Sequence, residues 1–200
     1  MTLFAFLDLE TTGLDPDEDH ILEIAWLLTD SKLEKLTPLR SHIVDHSPGA
    51  WQDVWAQLMS NEYVRNMHQQ SGLYADMRTK SVWPLSAIAL QFRDDIEEAI
   101  AHVEEGSVHL AGLSIDFDRS FLKKDPTWGL FFDNDVLGVS IHHRLLDLSS
   151  IKLMLDACGV PWEKAANEGA HRAAYDVDES LRQALIFQRT LGALAIKENN

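Results

Sequence analysis

The chain has 200 residues, 46% of them apolar and 24% charged, which fits one ordinary globular domain able to bury a full core. Its 17 basic and 32 acidic side chains leave a formal charge of -15, so a generally basic surface that tracks long nucleic acid is excluded, while a short strand held in one small pocket is not. The lone cysteine, Cys158, excludes an internal disulfide and a cysteine-built zinc site. No apolar run reaches bilayer-spanning length, and MTLFAFLDLE has no basic leader and an acid at position 8, so the expectation is a reducing, cytoplasmic setting with no membrane attachment.

Taken in chain order, Leu3–Leu9 reads as a buried strand, broken at Gly13, Asp15 and Pro16. Ile21–Thr29 and a weaker Leu36–Val44 form an expected antiparallel hairpin turned at Asp30-Ser31-Lys32. Trp51 to His68 reads as helix stopped at Gly72. A second helix opens near Pro84, its buried face carrying Leu85, Ile88, Ala89, Phe92, Ile96, Ile100 and Val103, and ends at Gly106. Val108–Leu113 is a strand, Asp116–Lys124 a short helix and Arg144–Leu148 a fifth strand. Helices from Ser149 to Cys158 and from Arg172 to Arg189 complete an α/β chain with a mixed sheet.

Asp8 and Glu10 lie two apart at the end of the first strand, so both carboxylates leave one face. Adjacent like charges there need a cation, and hard oxygen donors suit Mg²⁺ or Mn²⁺. A D-x-E pair alone is more often a solvated loop edge. Asp118, in AGLSIDFDRSFL, and His171 with Asp176, in HRAAYDVDES, change that reading. Five helical residues span about 140° of rotation, so Asp176 is placed in the last helix and His171 in the loop before it, after Glu168-Gly169-Ala170. A loop histidine can move a proton over a site held by rigid carboxylates.

D-x-E, a distant Asp, then H-x₄-D form the pattern of the DEDDh 3′–5′ exonucleases. FLDLETTGLD, HILEIAWLLTD, HQQSGL, GLSIDFDRSFL, RLLDLSSIK and HRAAYDVDES resemble, in order, segments of the oligoribonuclease family, across Leu3 to Arg189. The resemblance implies a single domain over 1–200 with an RNase H-like fold, a five-stranded mixed sheet flanked by helices. It also implies 3′–5′ hydrolysis of short oligoribonucleotides to 5′-mononucleotides. Asp8, Glu10, Asp118 and Asp176 would hold two divalent ions, and His171 would be the general base. Leu14 and Tyr63 would meet the bases, with Thr12 beside them. Ser114, Arg144 and Ser149 would grip the 5′ phosphate. His68 would come from the partner subunit of a homodimer.

Three positions depart from the family's pattern: His143 stands where HYR has tyrosine, Leu113 where asparagine is expected, and Thr11 where methionine is expected. They leave the metal chemistry untouched and bear on substrate length. The alternative is a broader exonuclease on DNA or longer RNA, of the proofreading-subunit or RNase T type. A silent interaction module would have lost at least one of the five motif residues, and a hydride-transfer enzyme would show G-x-G-x-x-G after the first strand. His20, His42, His46, His102, His109 and the tryptophans are expected to pack or to lie at the surface.

Overall fold

The computed structural model describes residues 2–46, 50–101, 107–132, 139–163 and 171–198. His102, Val103, Gly106 and Glu168 to Ala170 lie outside them. Among the described residues, the strands are β1 (Thr2–Thr11), β2 (Ile21–Thr29), β3 (Arg40–Asp45), β4 (Val82–Pro84), β5 (Ser107–Gly112) and β6 (Leu146–Asp147). The helices are α1 (Ala50–Ser60), α2 (Glu62–Gln70), α3 (Leu73–Thr79), α4 (Leu85–Ile100), α5 (Ile115–Lys124), α6 (Leu148–Ala157) and α7 (Ala173–Glu198), with a 3₁₀ turn at Trp128–Phe131. No described helix is long and apolar enough to cross a membrane.

The sheet is mixed, in the order β4-β3-β2-β1-β5-β6. β1 runs antiparallel to β2 and parallel to β5, and β2 is antiparallel to β3, so the expected hairpin forms. The period of two along β1 divides the core. Leu3, Ala5, Leu7 and Leu9 pack with Ile88, Phe92 and Ile96 of α4 and Phe121 of α5. Phe4 and Phe6 point the other way, onto Val177, Leu181 and Phe187 of α7 and Leu155 of α6. A third cluster, with Leu22, Val54, Leu58, Val64 and Leu73, seats α1 to α3.

Trp26, fully buried, crosses Phe92 and Trp128 edge to face, and its Nε1 donates to Asp95 at 2.8 Å. Arg40 also reaches the Asp95 carboxylate, through Nε at 3.2 Å and Nη2 at 3.0 Å. Asp95 is therefore a buried charge with a full set of donors, tying α4 to β2 and β3.

The sheet has six strands rather than five, because Val82–Pro84 pairs in parallel with Ile43–Asp45. Pro84, expected to open the helix, ends β4 in extended conformation and caps α4. The expected strand at Leu36–Val44 starts later, at Arg40, and that at Arg144–Leu148 shortens to Leu146–Asp147. The helix expected from Trp51 to His68 breaks at Asn61, whose side chain accepts from the Val64 amide at 3.2 Å and starts α2. Gly72 does stop α2, in the left-handed region at φ 80°, but α3 follows at once. The last helix continues past Arg189 to Glu198.

Candidate active site

Asp8 and Glu10 extend the Phe4–Phe6 row of β1, so where apolar residues give way to acids the carboxylates face α7. Asp176, in the first turn of α7, meets them there: carboxylate oxygens of Asp8, Glu10 and Asp176 lie within 4.8 Å of one another. Asp118 arrives by a different route. β1 pairs with β5 only from Thr2 to Phe6 and then outruns it. Beyond that end the Leu9 amide donates to Asp118 Oδ1 at 2.9 Å, so a carboxylate replaces the missing strand carbonyl. The chain turns sharply to deliver it. Ser114 is left-handed at φ 55°, and a Cβ on Gly112 would lie 3.0 Å from the Leu7 carbonyl oxygen.

The electrostatics are those of a crowded, desolvated set of like charges. Burial, then repulsion from Asp118, Asp176, Glu10 and Glu23, holds the Asp8 carboxyl well above the usual range. Burial, then Asp176 and Glu23, pushes Glu10 up to about 8. Burial pushes Asp118 to about 8 and also raises Asp176. A protein does not keep four such groups together without a compensating charge, and a divalent cation on hard oxygen donors supplies it.

His171 is exposed, directly ahead of α7 as expected, and holds a left-handed φ of 42°. Its charge acts favourably on Asp176. Two neighbours that sequence reading passed over complete the surroundings. Glu23, 1% exposed, stands opposite Glu10 in the β1–β2 register and receives a two-pronged ion pair from Arg172, the residue after His171. A single acid inside the apolar run ILEIAWLLT was the signal, since a buried charge requires a partner.

The residues expected at the substrate separate into groups. Leu14 and Tyr63 are 82% and 75% exposed, apolar surface left uncovered beside a buried polar site. Thr12 is instead buried, and its hydroxyl donates to Asp19 Oδ1 at 2.8 Å while accepting from the His20 amide at 2.9 Å. It braces the loop that presents Leu14. His68, implied to come from a partner, is 0% exposed within its own chain. Its Nε2 donates to the Thr11 carbonyl at 2.8 Å, and Nδ1 lies 3.7 Å from Glu10 Oε2. Within this chain it packs against Glu10.

Ser114 and Ser149 do come together. The Ser114 amide donates to Ser149 Oγ at 3.0 Å and to Asp147 Oδ1 at 3.1 Å, where the first turns of α5 and α6 converge. Arg144 lies before β6, its carbonyl bonded to His109 Nδ1 at 2.9 Å, and its side chain is exposed without an ion pair among the described residues. His143 stacks on His142 with ring centres 4.2 Å apart.

No family model matches the chain. Curated relatives do. It is 32% identical to the oligoribonuclease of Cutibacterium acnes over 196 residues, covering 94% of this chain and 86% of the relative. The Mycobacterium ulcerans oligoribonuclease is 33% identical, covering 92% of this chain and 79% of its own length. That of Chromobacterium violaceum is 30% identical, covering 92% of each. Among solved structures, exonuclease I of E. coli in complex with a dA16 oligonucleotide superposes with a TM-score of 0.62 at 16% identity, covering 97% of this chain. Apo exonuclease I gives 0.60 at 16% identity over 98%. This chain spans only 42% and 45% of those two chains, and the likeness shows the shared RNase H-like fold. By its extended identity to these relatives, the chain belongs to the oligoribonuclease family.

Proposed function

We propose that this chain is a 3′–5′ exoribonuclease that removes 5′-mononucleotides from short oligoribonucleotides, as one catalytic domain over 1–200. The observation that carries the reading is the convergence of Asp8, Glu10 and Asp176 within 4.8 Å, with Asp118 fixed beside them on the Leu9 amide. Those four carboxylates are the residues that would hold two divalent ions, Mg²⁺ or Mn²⁺. Such ions, when bound, polarise the scissile phosphate, lower the pKa of water and stabilise the leaving oxygen.

The chain's own part is positioning and proton transfer. Asp8 and Glu10 are rigid because β1 is paired along its length with β2, and Asp118 is rigid because its oxygen closes the Leu9 bond. His171, exposed beside Asp176, takes the proton of the attacking water at an imidazole nitrogen. Leu14 and Tyr63 offer faces for two terminal bases, and stacking of that kind is indifferent to base identity. Ser114 and Ser149, with Arg144, supply hydroxyl and guanidinium donors for a terminal phosphate. A net charge of -15 disfavours long polyanions outside this pocket.

The second reading is a length-tolerant exonuclease on DNA or longer RNA. Its support is the fold shared with exonuclease I, whose structure holds a dA16 strand, together with His143 in place of tyrosine. End-labelled RNA and DNA of two, five and twenty nucleotides, degraded side by side with Mg²⁺, separate the two. Fastest turnover on the RNA dinucleotide supports the first, and a flat or rising length profile replaces it with the second. No turnover on any strand overturns both.

A further inference from the structure

The proposed chemistry leaves one strongly built ion pair without a task. Glu23 is the only acid inside the fully buried strand β2, and four donors converge on its carboxylate. Arg172 contributes Nε at 3.0 Å and Nη2 at 2.8 Å, the Ala173 amide comes to 3.1 Å, and Ser41 Oγ to 3.2 Å. The remaining arm of Arg172, Nη1, reaches Asp76 of α3 at 2.8 Å, and Asp76 in turn holds Lys80 at 2.8 Å. The guanidinium is thus pinned between β2 of the sheet and α3, one strand over from Glu10.

Arg172 is joined directly to His171, whose backbone sits at φ 42°. A residue with a side chain meets steric strain in that region and stays there only where its surroundings hold it. The described surroundings that do so are the Arg172 side chain and the Arg172 carbonyl, which accepts the amides of Tyr175 and Asp176 at 2.9 and 3.0 Å. Asp176 has separate support, because α7 packs on β1 and β2 through Ala173, Val177 and Leu181.

We infer that Glu23 and Arg172 are positioning residues, a clamp that holds the His171 backbone in the conformation from which its imidazole faces the carboxylate cluster. The inference rests on reading His171 as the base. It assigns the clamp no contact with substrate and no part in holding the ions.

The experiment is a double-mutant cycle on the full chain, with a diribonucleotide as substrate and Mg²⁺ as the ion. Arg172→Ala is expected to lower kcat about 10–100-fold, the range for loss of a supporting partner, with KM unchanged. His171→Ala is expected to cost about 10²–10⁴-fold. Combined, they should be no slower than His171→Ala alone, because the clamp has nothing left to position. The paired variant Glu23→Leu/Arg172→Leu guards against simple unfolding, since a buried ion pair exchanged for apolar side chains commonly keeps or raises stability. It should fold and match the rate of Arg172→Ala. Losses that multiply, or, in the paired variant from which both charges are gone, a shifted Mg²⁺ requirement or wild-type turnover, would each overturn the clamp alone. Wild-type turnover in His171→Ala would overturn the base assignment and the clamp with it.

Discussion

Asp8 and Leu14 are six positions apart, yet the two regions they belong to are built on opposite principles. The carboxylate cluster is half-buried to buried and over-determined: strand pairing fixes Asp8 and Glu10, a backbone amide fixes Asp118, and the first turn of α7 fixes Asp176. The residues proposed to meet the strand are exposed, with Leu14 and Tyr63 carried on a loop and a helix start and the Arg144 side chain free of ion pairs among the described residues. All three departures from the family's pattern, Thr11, Leu113 and His143, fall outside the four carboxylates. The carboxylates are set by secondary structure, whereas of the three departures Leu113 and His143 lie at the surface and Thr11 is buried in β1.

That contrast can be broken by substitution, and the largest effect belongs to the locked half. Asp8→Ala, Asp118→Ala or Asp176→Ala should abolish turnover and EDTA should do the same to the wild type, with Mg²⁺ or Mn²⁺ restoring only the latter. Full activity in any one of the three variants would show that the cluster does not hold the catalytic ions. His171→Ala comes next, at about 10²–10⁴-fold in kcat with metal affinity unchanged. In the exposed half, Tyr63→Ala should cost about 1–3 kcal/mol of binding through lost stacking and Leu14→Ala up to about 1.5–3 kcal/mol through lost apolar burial, both read as KM on a dinucleotide rather than kcat. Arg144→Ala should cost about 1.5–3 kcal/mol for a phosphorylated 5′ end and almost nothing for a hydroxyl end, which direct binding measurements would resolve.

The smallest effect sharpens the comparison without any substrate. Glu10 and Asp118 bind protons more tightly folded, at about 8, than unfolded, at ordinary carboxylate values. Their contribution to stability is therefore complete at low pH and is lost as pH rises toward 8. The chelated protein should melt at a lower temperature at about pH 8 than at about pH 5. Asp118→Asn, which keeps an acceptor for the Leu9 amide, should flatten the trend, and Mg²⁺ should cancel it. An unchanged melting temperature across that range would show that the cluster is not strained by its own charge.

The same division governs what was legible in the sequence. The spacing of Asp8 and Glu10 is enough to place both carboxylates on one face, because a strand repeats every two residues. The turn angle of a helix is enough to separate His171 from Asp176. The clamp was harder to see: Glu23 and Arg172 are 149 positions apart, and only the oddity of an acid within an apolar strand hinted at it. The break at Asn61 did leave a signal: the four-residue spacing of Val54 and Leu58 lapses at Asn61 and Glu62, and Val64 comes six positions after Leu58. β4 was missed because three residues carry no periodicity, and Pro84 reads equally well as a helix start. That His68 packs on Glu10 was not legible, since its burial follows from how α2 packs and not from its neighbours in the chain.

The sheet ends on its two shortest strands, Val82–Pro84 at one edge and Leu146–Asp147 at the other. An outer strand is where a second chain can add itself by backbone bonding, and short edges, one of them closed by a proline without an amide hydrogen, offer little to add to. Crowding the protein should therefore not drive fibrous, strand-to-strand growth. At these two described edges, self-association by side-chain matching is favoured over strand addition, and would be tuned by single surface substitutions and not by strand register.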